Sequence, residues 1–575
     1  MSKLIRLSGA RAVRPLWLAA AAVAFAAAVA GAAGIAVGQG HAATEDGQLR
    51  AHHPHPTSRF PHAKLKHGVL TVRGTRASDR IALRLKVDNP DILQVDVGDN
   101  GSADFSFKRK AIARIVVKAR AGDDLVRIDE RNGVFNDRIA TALDGGDGND
   151  SLAGGAGAET LTGGEGNDSL DGNGGNDLAL LGAGDDSFVW DPGDGSDTVE
   201  GGEGADTMVF NGADAAERVS VSASGNRLRF LRDPGGVTMD TAGVERVDFS
   251  ALGGIDVVTV NDLSGTDVSA VNINLAATLG GTSGDGQPDR VALNARNTTD
   301  VINVNGDASG VTVSGLPTVV AIRHQEPTDE LDVHGLGADD AISATTLAAQ
   351  TIALTLDGGS GNDRLAGGQG VETLIGGEGN DSADGNGGND AGLLGSGDDS
   401  FVWDPGDGSD TVEGGDGADT MVFNGAAGTD QIELSANGTR LHLFRNPGAV
   451  TMDTAGVETV DVNTLAGADL AVVDDLSGTD VSAVNVDLAA TLGGSGGDGQ
   501  TDRVVVNATQ GDDAIAVTGD SSEVKASGLV PGTAIFHPEA GDHLEINTLA
   551  GRDSVDSSGL AAGAIELFVD GVRVP

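Results

Sequence analysis

One segment of this chain is present twice almost letter for letter. Ser187–Ala213 reads SFVWDPGDGSDTVEGGEGADTMVFNGA, and Ser400–Ala426 reads the same except that Asp416 stands for Glu203. The offset of 213 residues persists beyond it: Met239 matches Met452, Leu263 matches Leu476, Asp289 matches Asp502 and Asp357 matches Asp570. Residues 145–357 and 358–570 are therefore tandem copies with no net insertion. Tandem self-similarity marks repeat architectures, in which each unit buries its apolar face against its neighbours.

A shorter period lies inside each copy. Residues 145–213 and 358–426 follow the nine-residue frame G-G-x-G-x-D-x-U-x, with U apolar. Gly145–Ala153, Gly163–Asp171 and Gly201–Val209 fit it fully; the second copy repeats it from Gly358, Gly376 and Gly414, with Ala383 at one U position. Six residues make a turn and three make a short strand, and glycine permits left-handed backbone and close chain approach. Two nonapeptides complete one coil, so repeats 18 residues apart stack on the same side. Asp150, Asp168 and Asp186 then line up along one edge, as do Asp363, Asp381 and Asp399.

Carboxylates one strand spacing apart, about 5 Å, repel strongly if unpaired. A hard divalent cation between successive turns removes the repulsion. Turn carbonyls supply its remaining oxygens, at about 2.3–2.6 Å for calcium, whereas magnesium demands stricter octahedral geometry. The candidate ligands are Gly145, Asp147, Asp150, Gly163, Glu165, Asp168, Asp177, Asp186, Asp197 and Asp206 in the first copy. In the second they are Gly358, Asp363, Gly376, Asp381, Asp390, Asp399, Asp410 and Asp419. Some turns depart from the frame. Glu159 and Glu372 replace the Asp and mark a poor ligand turn; Asn173 and Asn386 replace a Gly, as do Leu181 and Leu394. Trp190-Asp191 and Trp403-Asp404 are two-residue insertions ahead of Pro192 and Pro405.

At these residues the chain resembles the RTX, or haemolysin-type, calcium-binding repeat family of bacterial secreted proteins. The resemblance implies a parallel β-roll with calcium held between stacked turns by the Asp carboxylates and turn carbonyls.

The remainder of each copy, 214–357 and 427–570, consists of short runs with an apolar period of two, such as Arg218–Val221 and Val301–Val304. Such runs read as strands. Residues 68–144 contain similar ones, Val69–Arg73 and Arg114–Lys118. The expected fold is all-β. Parallel β-roll segments at 145–213 and 358–426 alternate with β-rich, solenoid-like segments at 214–357 and 427–575, after a β-rich region at 68–144.

The N-terminal residues 1–42 read as an export signal: Lys3, Arg6, Arg11 and Arg14 precede an apolar stretch from Leu16, and Gly40-His41-Ala42 suits cleavage. If uncleaved, this stretch would be the one tie to a membrane. Residues 43–67, with Pro54, Pro56, Pro61 and several histidines, read as a linker. Net charge is -49, from 86 acidic and 37 basic residues, which repels nucleic acid and anionic membranes. There is no cysteine, so no disulfide staples an exported chain and bound metal takes that part.

Catalytic patterns are scarce. No H-E-x-x-H occurs, and Gly493-Gly494-Ser495-Gly496-Gly497 matches a hydrolase elbow that the first copy lacks at Gly280–Gly284. Trp190 and Trp403 read as packing residues that close the roll. The sequence therefore points to a non-enzymatic, secreted protein that binds calcium and folds with it, with a structural or surface-interaction role toward cell-surface or matrix components. The alternative is a secreted hydrolase that carries the rolls as a stability module.

Overall fold

Alternation dictates which side chains turn inward. In the strand Ala140–Asp147, Thr141, Leu143 and Gly145 are buried while Ala140 and Asp147 are exposed. The computed structural model describes residues 61–575. The export signal and the linker up to residue 60 lie outside the described residues. Within them, strands pair with the second strand along the chain rather than the next. Glu159–Glu165 lies parallel to Ala140–Asp147 on one side and Leu178–Ala183 on the other, with Leu143, Leu161 and Ala179 in register. Ser151–Ala153, Ser169–Asp171 and Ser187–Trp190 stack in the same way in a second sheet, with Leu152, Leu170 and Phe188 in register. The chain thus winds as a parallel two-sheet β-solenoid.

Both ladders run beyond the nonapeptide blocks. Upstream, Val69–Arg73 pairs parallel with Arg114–Ala121, and that strand with Ala140–Asp147. Between the copies, Ala353–Ser360 lies parallel to Glu330–His334 and to Glu372–Glu378. The β-rich segments are therefore coils of the same solenoid with longer turns. Val258 pairs with Val291, and Val291 with Leu331, in place of an 18-residue repeat.

Each copy carries two three-stranded antiparallel meanders inside the ladders. In the first copy they are Arg218–Ser224, Arg227–Asp233 and Val237–Ala242 in one sheet, and Val301–Asp307, Gly310–Ser314 and Val319–Arg323 in the other. The second copy repeats both, from Gln431 and from Ala514. The C-terminal part of the segment read as a linker is ordered differently from that expectation. His62–Lys66 is a strand antiparallel to Val69–Arg73, because Ala63 and Leu65 pack on the core.

Stacked apolar rows fill the interior: Leu152, Leu170, Phe188 and Met208 in the first copy, Leu365, Ala383, Phe401 and Met421 in the second. The two-residue insertions lengthen one coil, so that Leu178 pairs with Thr198. Trp190 and Trp403 fill the wider coil. Both are fully buried, and they stack on Phe210 and Phe423 with ring centroids 4.0 and 4.2 Å apart.

Candidate metal centre

The turn frame creates a seat for one carboxylate. A Cβ on Gly163 would overlap the Asp168 carboxyl group and the Leu181 carbonyl. The first glycine of the frame is thus the space in which the Asp side chain lies. The same overlap links Gly145 to Asp150, Gly358 to Asp363 and Gly376 to Asp381. The glycines at the second and fourth places, Gly164 and Gly166, have φ of +130° and +119°, a region that residues with a Cβ seldom enter.

Each seated carboxylate then ties two coils together. Asp150 N–H donates to Asp168 Oδ1 at 2.7 Å, Asp168 N–H to Asp186 Oδ1 at 2.7 Å and Asp186 N–H to Asp206 Oδ1 at 2.9 Å. The second copy repeats this through Asp363, Asp381, Asp399 and Asp419. The opposite edge has a shorter row. Glu159 N–H donates to Asp177 and Asp177 N–H to Asp197, after which Asp197 N–H meets Met239 Sδ at 3.4 Å. Glu372, Asp390 and Asp410 form its counterpart. Glu159 and Glu372 bend back onto their own turns, accepting the amides of Gly155 and Gly368.

One oxygen of each aspartate in these rows is thereby used and the other is not. The Oδ2 atoms of Asp150, Asp168, Asp177, Asp186, Asp197 and Asp206 are buried without a hydrogen-bond partner, as are those of Asp363, Asp381, Asp390, Asp399, Asp410 and Asp419. A buried polar atom without a partner is costly, and more so when charged. Burial raises the carboxyls of Asp168 to about 7 and Asp177 to about 8, against the lowering by the accepted amide, and neighbouring carboxylates add to the rise. Asp381 rises to about 6 and Asp390 to about 8 for the same reasons.

The donor set is all oxygen, which suits a hard cation such as calcium. Among the described residues, no group of three or more His, Cys, Asp or Glu side chains is placed to hold a metal ion. A cation here could draw on no more than two carboxylates, and turn carbonyls would supply its other ligands. Gly145, Gly163, Gly358 and Gly376 lie near the C-terminal ends of their strands and can offer only backbone. Asp147 and Glu165 extend their side chains to solvent and do not join the buried row.

The row is longer than the nonapeptides. Glu217 N–H donates to Asp256, Asp256 N–H to Asp289 and Asp289 N–H to Asp329. Asp430, Asp469, Asp502 and Asp542 repeat the arrangement. The turns before these acids keep at most two of the three frame glycines, as Gly425 and Gly428 before Asp430, and so escape the nine-residue frame. Their signal is an acid two residues before a buried apolar residue, as in Asp256-Val257-Val258 and Asp502-Arg503-Val504. At three of the four meanders an arginine meets the terminal acid, and at the fourth Thr509 Oγ1 donates to Asp513 at 2.9 Å. Arg232 pairs with Glu217, Arg445 with Asp430 at 2.7 Å and Arg296 Nε with Asp300 at 2.8 Å.

The family described as RTX calcium-binding nonapeptide repeat (4 copies) matches residues 142–158, 154–188 and 193–213, and again 355–371, 367–401 and 406–432. The chain carries RTX calcium-binding nonapeptide repeats in both copies. No curated protein matches the chain. Among solved structures, the chain is similar to the extracellular lipase LipA from Serratia marcescens at 15% identity, over 60% of this chain and 43% of the lipase, with a TM-score of 0.14. The match spans under half of the lipase, and a likeness of that size carries no argument about fold or activity.

Proposed function

We propose that this chain is an extracellular calcium-binding repeat protein with a structural or surface-interaction role, in adhesion or matrix, whose folding is coupled to calcium. One observation carries the coupling: the nonapeptide rows of buried aspartates, each with an oxygen left without a partner. In the cytosol, where calcium is scarce, those charges would oppose folding. Outside the cell, at about 10⁻³ M calcium, weak extracellular-type sites would fill and the binding free energy would become folding free energy. Export by the N-terminal signal would place the chain there.

The role is non-catalytic. In support, 68–144, the one long segment outside the two copies in the described residues, belongs to the same two ladders. Ser495 lies in an exposed loop. Retention of the labelled full chain on intact producing cells tests the role. Calcium-dependent retention, lost in chelator, is expected. Equal wash-off in calcium and chelator would remove the surface role and leave the calcium reading standing.

A further inference from the structure

We infer that each β-roll holds a divalent cation one coil earlier than its recognised repeats, between the turns of Asp124 and Asp150 and between those of Asp340 and Asp363. This rests on the reading that the nonapeptide turns bind calcium. The repeat match begins at 142 and 355, after both Asp124 and Asp340.

Neither turn has the nonapeptide sequence, yet both have its path. In Gly335–Asp340 the second and fourth places of the frame are held by Leu336 and Ala338, with φ of +76° and +83°. In the turn that ends at Asp124 they are held by Arg120 and Gly122, both with φ of +101°. The carbonyl stack also continues. A Cβ on Gly359 or Gly361 would strike the carbonyl of Leu336 or Ala338, just as one on Gly377 or Gly379 would strike those of Gly359 and Gly361. Gly146 and Gly148 meet the carbonyls of Arg120 and Gly122 in the same way.

The carboxylates match as well. Asp124 N–H donates to Asp150 Oδ1 at 2.7 Å and Asp340 N–H to Asp363 Oδ1 at 2.8 Å. Asp124 and Asp340 are 2% and 3% exposed, and each has a buried Oδ2 without a partner. That orphaned oxygen separates them from such acids as Asp329 and Asp79. Asp329 Oδ2 accepts the Glu326 amide at 2.7 Å and Asp79 Oδ2 accepts the Thr75 amide at 2.5 Å. Asp256 also has an orphaned oxygen. The turn stacked on it, 284–289, has its left-handed residue at the third place, Gly286, so no matched pair of turns forms there. Two stacked turns of the same path, each with a free carboxylate oxygen, are what the nonapeptides offer a cation.

Equilibrium dialysis of the full chain against radiolabelled calcium counts the ions. Asp124→Asn and Asp340→Asn should each bind one ion fewer than the unmodified chain, while Asp329→Asn keeps the full count. Unchanged counts in Asp124→Asn and Asp340→Asn overturn the inference. If either variant lacks the unmodified chain's circular dichroism at saturating calcium, anomalous scattering from crystals of the unmodified chain decides. An ion beside Asp340 and Asp363 is expected; an empty gap there, with an ion between Asp363 and Asp381, overturns the inference alone. Empty gaps at both levels overturn the calcium reading and this inference with it.

Discussion

Asp168 holds Asp150 in place: its Oδ1 accepts the Asp150 amide at 2.7 Å while its Oδ2 faces no partner. The same side chain therefore supports the metal-free fold through one oxygen and opposes it through the charge on the other. Stacked carboxylates about 5 Å apart repel by roughly 3 kcal/mol at an effective dielectric of about 20.

Asp168→Asn separates the two effects. The amide keeps an acceptor for the Asp150 N–H and removes the charge. The variant should melt about 2 °C or more above the unmodified chain in chelator and below it in millimolar calcium. Scanning calorimetry in both buffers at pH 7.5 reads the crossing, and a shift of the same sign in both would refute it.

The pH dependence of the metal-free chain should run against the usual acid denaturation. Burial is the main cause that raises Asp256 and Asp289 to about 7, and Asp177 to about 8, from an ordinary value of 3.8. A carboxyl with a raised value in the fold contributes stability that is fully present below about 3.8 and is lost as pH rises through 6 to 8. In chelator, the melting temperature should therefore rise as pH is lowered from 8 to 5. In calcium, protons compete with the ion, and apparent affinity should fall over the same window.

Gly163→Ala places a methyl group in the space of the Asp168 carboxyl. The expected cost is on the order of 3 kcal/mol, from overpacking and the displaced carboxylate. Gly428 has open space around its Cα, so Gly428→Ala should stay within about 0.5 kcal/mol. Urea unfolding in calcium compares the two, and equal losses would contradict the seat described for Gly163.

Arg232 lies over the Trp190 ring, 5.3 Å from its centroid, and pairs with Glu217 inside the solenoid. Arg232→Ala leaves a buried carboxylate alone, at a cost of about 3–5 kcal/mol. The double variant Arg232→Ala/Glu217→Gln should recover a large part of that loss in the same urea measurement. No recovery would show that the ring contact, rather than the charge, carries the effect.

Much of this was legible in residue order. The 18-residue offset of Asp150, Asp168 and Asp186 set the stacking, and the alternating runs set the strands. Glycine marks its turns because it alone lacks the Cβ that the seat excludes. Where Leu336, Ala338 and Arg120 take left-handed places, the turn leaves no compositional mark. The turn before Asp256 likewise has Leu252 in a left-handed place, and the turn before Asp502 has its left-handed residue, Gly499, at the third place of the frame. Long meanders such as Arg218–Ala242 hid the register, since pairing across them depends on which strand returns to the ladder.

The direct test of the central claim is a calcium titration of the metal-stripped full chain, followed by far-ultraviolet circular dichroism and tryptophan fluorescence, with magnesium as control. A cooperative gain of β signal and burial of Trp190 and Trp403 by millimolar calcium, without the same response to magnesium, is the predicted result. Superimposable spectra in chelator and in millimolar calcium would contradict it.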